Sequence, residues 1–218
     1  MPIQIKKVEA RQFRKILKSG RTTPFLFECE DVTTDQREEY VVKLRHSLDR
    51  RDRGLICELV SSFLARSIGL NTPPIALVNV DEQMASLIDA IPKNKIAASI
   101  GLNFGSKLLS GGYLNLPNDY PLSIHLEKAA AEIITFDALI QNPDRRAGKP
   151  NMFIKGNEFY IFDHELAFSF LELIGRKDNP WEQTAFSSCV RSHFFYRQLT
   201  GKDVDLGKNC TEHQEHER

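Results

Sequence analysis

Asp144, Asn151 and Asp163 lie 7 and 12 residues apart in the stretch NPDRRAGKPNMFIKGNEFYIFDHELAF, residues 142–168. Each offers hard oxygen, two from carboxylates and one from an amide. Such donors suit Mg2+, whose remaining shell phosphate and water complete. A carboxylate on an irregular segment anchored by a packed element can also accept or orient the proton of an attacking hydroxyl. The stretch could therefore build a phosphate–metal site, with Asp144 toward the acceptor and Asn151 and Asp163 toward a cation. FYIFD sets Asp163 directly after an apolar run, and HELAFSF beyond it is apolar again. An unpaired carboxylate there is costly, and a bound metal would answer that cost. Arg145, Arg146 and Lys149 add positive charge that suits phosphates, or equally a solvated turn. The bland alternative is that Asp144 and Asn151 cap turns while Asp163 ends a strand.

Two further residues extend the pattern. In EYVVKL, Lys43 shares a strand face with Val41, while Val42 and Leu44 project to the other side. Its ammonium could meet phosphate oxygens, or its stem could snorkel from a sheet edge. Glu58 lies early in an expected helix beside Leu59 and could orient Lys43, or serve as an ordinary first-turn acid. His164 could be a base or a structural donor. The tail residues Cys210, His213 and His216 could attract zinc or belong to a polar tail. The sequence has no GxSxG elbow, HExxH helix or GxxxxGK[ST] loop.

The elements that must position these groups follow from periodicity. FLFECE (25–30) and EYVVKL (39–44) predict a hairpin. Leu55, Leu59, Phe63 and Ile68 predict a helix that Gly69 can end. Residues 75–80 and 84–88 predict a second hairpin. The glycines at 105, 111 and 112 suggest a hinge or wrapping loop within 92–123. Helical spacing returns at 124–141, with Ile133, Phe136 and Ile140 toward a core, and again at 181–200; MFIK and FYIF form a hairpin around Gly156 and Asn157.

The 218 residues are 41% hydrophobic and 27% charged, as in an ordinary globular protein, enough for one ample domain or two small lobes. Lys plus Arg and Asp plus Glu each total 29, so zero net charge gives no global steering to nucleic acid or an anionic membrane. Four scattered cysteines without a CxxC pair, an opening without an apolar signal core and no membrane-length apolar run favour a cytoplasmic protein.

Taken in order, YVVKL, CELVSSFLARSIGLNTPP, FGSKLL, FDALIQNPDRRAGKPNMFI and FYIFDHELAF resemble the HipA-like kinase family over about residues 20–170. That family is related to phosphatidylinositol kinases and, more distantly, to protein kinases. The resemblance implies an α+β, bilobal protein-kinase-like fold. Its small strand-rich N-lobe would span 1–91 and its mostly helical C-lobe 92–218. It implies ATP and Mg2+ as cofactors and a hydroxyl of a protein or small molecule as acceptor. Lys43 matches the nucleotide-binding lysine and Glu58 its helix partner. Asp144 matches the catalytic aspartate, and Asn151 and Asp163 the metal ligands. Ser19, Gly20 and Thr22 would cover phosphate, and Lys107 in FGSKLL would contact phosphate or acceptor. Phe13, Leu26 and Val41 would enclose adenine. Two departures, a single glycine in KSGRTTP and DHE at 163–165, keep open a second expectation. That alternative is a catalytically weak or inactive module that binds nucleotide or a partner.

Overall fold

The computed structural model describes residues 5–17, 23–88, 96–172, 179 and 182–204 of an α+β protein. The chain divides into two compact units. One comprises Met1–Leu64, Thr72–Gly111 and Asp163–Glu165; the other comprises Ala65–Asn71, Gly112–Phe162 and Leu166–Arg218. The expected lobe boundary at 91/92 lies outside the described residues, as do Ser19, Gly20, Thr22, Cys210, His213 and His216.

The first unit is built on five strands: β1 (Lys6–Ile16), β2 (Phe25–Asp31), β3 (Gln36–Lys43), β4 (Ile75–Val80) and β5 (Gly101–Lys107). They close into a barrel in the order β1-β2-β3-β5-β4. The expected hairpin of β2 with β3 is present, in a register that sets Phe27 opposite Tyr40. Alternation along each strand sends Val8, Ala10, Phe25, Phe27, Cys29, Tyr40, Val42, Ala76, Val78 and Val80 to one buried interior. Two register shifts in β1 help bend the sheet, and parallel pairing of Lys6–Glu9 in β1 with Ala76–Asn79 in β4 closes it.

Five strands leave little room inside. Gly105 faces Ala76 and Val42 across its two neighbouring strands, and a Cβ there would stand 2.5 Å from Cγ2 of Val78. Gly105 is thus a packing residue of β5. The expected hinge within 92–123 is corrected accordingly, since 101–107 is a central barrel strand. The expected hairpin of 75–80 with 84–88 is also corrected. Residues Glu82–Ser86 form a short helix, α2, because the Asp81 side chain caps it by accepting from the Met84 N–H at 2.6 Å, while β4 pairs with β1 and β5.

The helix α1 spans Asp52–Ser67. It ends as Gly69 requires: at φ +84° the chain turns left-handed, and the Leu70 N–H reaches the Ala65 carbonyl at 2.9 Å. Its buried face differs from the predicted stripe. Gly54, Cys57, Glu58, Ser61, Ser62 and Ala65 are buried, whereas Leu55, Leu59 and Phe63 are half-buried and Ile68 is exposed. Small side chains occupy the inward positions around one carboxylate, Glu58.

The second unit contains both helices and strands, rather than the mostly helical lobe expected. A 3-10 turn at Ile124–Leu126 leads into α3 (Glu127–Leu139), on which α4 (Gln183–Ser192) and α5 (Tyr196–Leu199) pack. Ile133 and Phe136 of α3 are buried, as is Ile140 just beyond it; each contributes roughly 1.5–3 kcal/mol. A three-stranded sheet joins β6 (Leu114–Asn115), β7 (Met152–Lys155) and β8 (Glu158–Ile161) in that order, with the predicted turn at Gly156 and Asn157. Among the described residues no helix is long and apolar enough to cross a membrane.

Candidate active site

Strand parity sends Val42 inward and therefore puts Val41 and Lys43 outside, with Leu26 paired opposite Val41. Lys43 is fixed from two sides. Its ammonium pairs with Oε1 of Glu58 on α1 and lies 2.6 Å from Oδ1 of Asp163. Burial alone would favour the neutral amine, but the charges of Glu58 and Asp163 outweigh it and hold Lys43 protonated well above its ordinary range. Burial in turn pushes the Glu58 carboxyl upward against the pull of Lys43. Asp163 is the more accessible acid, 21% exposed against 1% for Glu58.

The DHE segment is tied into the same unit by all three of its residues. Asp163 takes Lys43, in a left-handed backbone conformation at φ +63°. The His164 N–H donates to Oε2 of Glu58 at 3.0 Å. Oε1 of Glu165 accepts the Asp49 N–H at 2.6 Å, and its Cγ would lie 3.1 Å from a Cβ on Gly54. Gly54 therefore leaves α1 open for Glu165 to pass. His164 and Glu165, both buried, act here as structural ties.

Lys107 is not brought to this cluster. It stands opposite Tyr40, on the other face of β3 from Lys43, and its ammonium pairs with Glu38. Phe13 also departs from its expected place beside Leu26 and Val41. Its ring packs against the barrel core, 5.9 Å from Phe25 and 5.7 Å from Phe27.

In the second unit, Asp144 and Asn151 come together on the loop between α3 and β7. Oδ2 of Asp144 accepts from the Lys149 ammonium and stands 3.5 Å from Nδ2 of Asn151. The Asp144 N–H donates to Oδ1 of Asn142 at 3.2 Å. Asn151 adopts φ +48°, a region Asn tolerates, and its carbonyl accepts the Phe162 N–H at 3.1 Å. That bond spans the hairpin, so the chain leaves the backbone partner of Asn151 one peptide before Asp163.

Beneath the loop lies a cluster that the sequence reading did not foresee. Arg145, which the sequence offers as a charge for phosphates or a solvated turn, is wholly buried with Asp137 of α3. Its Nε donates to Oδ2 of Asp137 at 2.6 Å, and the same oxygen lies 3.0 Å from Nε2 of His193. Nδ1 of His193 accepts the Phe195 N–H at 3.1 Å, which leaves Nε2 as the protonated nitrogen that donates to Asp137. Burial lowers the pKa of His193 and keeps it neutral, against the pull of Asp137. Asn142 donates from Nδ2 to Oδ1 of Asp137 at 3.3 Å. One signal could have exposed the cluster: Asp137 sits on the stripe Ile133, Phe136, Ile140, and an acid on a core-facing stripe demands a buried cation.

Aromatic rings were also missed. Phe153 of β7 stacks on Phe162 at 4.5 Å, two residues from Asn151 and one from Asp163 in sequence.

A family model of HipA-like kinases matches residues 10–199. The chain therefore belongs to the HipA-like kinase family and is an enzyme of the phosphotransferase type. No curated protein matches it.

Proposed function

We propose that the chain is an ATP- and Mg2+-dependent phosphotransferase with a protein-kinase-like division of labour. The barrel unit would bind nucleotide, and the second unit would present the acceptor, a hydroxyl on a protein or small molecule. The observation that carries this reading is Lys43, a charged amine held between Glu58 and Asp163 on the face that also bears Leu26 and Val41. An ammonium beside an apolar strand face suits a phosphate chain attached to a flat base. The buried thiols of Cys29, Cys57 and Cys189 accord with a reducing cytoplasm.

The donor set fits Mg2+. Among the described residues no three His, Cys, Asp or Glu side chains form a cage. Mg2+ needs none, because one or two protein oxygens with phosphate and water suffice. Asp163 would supply a carboxylate oxygen and Asn151 its amide oxygen. The chemistry that Mg2+ held by Asp163 and Asn151 would supply is neutralisation of phosphate charge. Lys43 would hold the phosphates, with Glu58 fixing its direction. Ser19, Gly20 and Thr22 would cover them. Asp144 would orient the acceptor hydroxyl and take its proton as the new oxygen–phosphorus bond forms. The bond from γ-phosphorus to the ADP oxygen breaks, and its electrons leave with ADP. Such catalysis is chiefly positioning and charge stabilisation.

The test is transfer from γ-labelled ATP in lysate with Mg2+ present. The wild-type protein should label itself or an acceptor. Asp144→Asn should reduce labelling by about 10²–10⁴-fold, the usual scale for a general base, with ATP binding retained. Equal labelling by the two proteins would remove Asp144 from the reaction.

A further inference from the structure

We propose that Arg145, with Asp137 and His193, is the positioning device that aligns two of the proposed reaction residues, Asp144 and Asn151. The inference rests on the roles given above to those two residues. Arg145 is the residue after Asp144, so anchoring its side chain fixes the backbone that presents that carboxylate. Its Nη1 lies 2.5 Å from the Asn151 carbonyl, 3.4 Å from that of Pro150 and 3.2 Å from that of Phe162. One guanidinium therefore touches the main chain at Asn151 and at its hairpin partner Phe162, while its own backbone follows Asp144.

Two helices and their ends hold Arg145 and its carboxylate partner. Asp137 belongs to α3 and turns one oxygen toward both Arg145 and His193. His193 follows α4, and the Phe194 N–H donates to the Arg145 carbonyl at 3.0 Å. The loop is thus bolted to two helices through a carboxylate–guanidinium pair with 0% exposure at either side chain. Such a pair gains little stability over packed apolar residues of similar volume. What it supplies is direction, since a planar fork satisfies fixed acceptors at fixed angles. Lysine at 145 would keep the charge and lose the fork.

The experiment compares wild type with Arg145→Lys by amide hydrogen exchange and by steady-state hydrolysis of ATP with Mg2+. The Phe162 amide, bonded to the Asn151 carbonyl, should exchange about tenfold faster in the variant. The amides of Phe153 and Tyr160, paired between β7 and β8, should hold. Turnover should fall about 10²-fold, the cost of a small misplacement, with KM for ATP within about threefold. If Arg145→Lys does not fold, His193→Gln loosens the same carboxylate from another element and should shift the Phe162 amide in the same direction by less. Exchange that is unchanged at Phe162, or that rises equally at Phe153 and Tyr160, overturns the proposal. So does a rise in KM with unchanged turnover. Equal labelling by wild type and Asp144→Asn would defeat the role of Asp144, and the exchange comparison would still decide the role of Arg145.

Discussion

The two units hold their chemistry in opposite ways. Lys43, Glu58 and Asp163 hold one another: each proposed site residue is also the ion-pair partner of another. Asp144 and Asn151 are held mainly from beneath, by Asp137, Arg145 and His193, which would touch neither nucleotide nor acceptor. Where site residues are their own scaffold, a substitution must disturb ligand binding and folding together. Where the scaffold is separate, the two effects can be pulled apart.

The largest effect expected from this contrast is at Lys43. Lys43→Met leaves Glu58 buried without its cation, and breaking a buried pair in this way costs about 3–5 kcal/mol. Urea unfolding should show that loss alongside the loss of ATP binding. Adding Glu58→Gln to Lys43→Met should recover part of the stability and none of the binding, because the orphaned charge disappears while the ammonium stays absent. If the two substitutions simply add, Lys43 and Glu58 do not form a coupled pair, and the first half of the contrast falls.

A smaller effect belongs to His193. Its folded pKa lies below the ordinary value of 6.5, because burial disfavours the charged ring beside Asp137 and Arg145. Below that value the unfolded chain binds a proton that the folded protein resists. Stability from the neutral ring is therefore complete above about pH 6.5 and declines as pH falls toward the lowered value. Thermal unfolding from pH 7 to pH 5 should show a decline that is shallower in His193→Gln. At pH 7 the same variant should cost about 1–3 kcal/mol for disturbed buried hydrogen bonds. An unchanged pH slope would mean that His193 does not carry this linkage.

The sequence exposed the two halves unequally, and for physical reasons. Lys43 was legible because a lysine inside an apolar strand is conspicuous, and strand parity placed it with Val41. Asp144, Asn151 and Asp163 stood out as oxygen donors beside a hairpin whose turn was also legible. Glu58 was harder, because the buried face of α1 is small and polar, and the larger residues Leu55, Leu59 and Phe63 drew the stripe away from it. Arg145 reads as a turn charge because its neighbours are turn residues, while its partners Asp137 and Phe194 lie 8 residues back and 49 ahead. A carboxylate in a helix core and a histidine after a distant helix meet only through tertiary packing. Barrel closure was hidden likewise, since β1 and β4 pair across about 70 residues. Gly105 looked like a hinge because a glycine that makes room for a methyl group and one that turns a loop are the same letter.

Lys149 provides the smallest effect and the finest test of the contrast. Its ammonium pairs with Asp144 as that of Lys43 pairs with Glu58, yet its side chain is 35% exposed against 11% for Lys43. Water already screens the Lys149 ammonium, and the buried Asp144 keeps Nδ2 of Asn151 at 3.5 Å once the pair is broken, so Lys149→Met should cost roughly 1 kcal/mol. Its effect should fall instead on transfer, because the cation beside Asp144 is then missing where phosphate charge is expected. Labelling from γ-labelled ATP should drop about tenfold, less than for Asp144→Asn, and the drop should shrink as salt screens the pair. A stability loss on the scale of Lys43→Met would make Lys149 part of the scaffold. In that case the second unit, like the first, would be held by its own site residues.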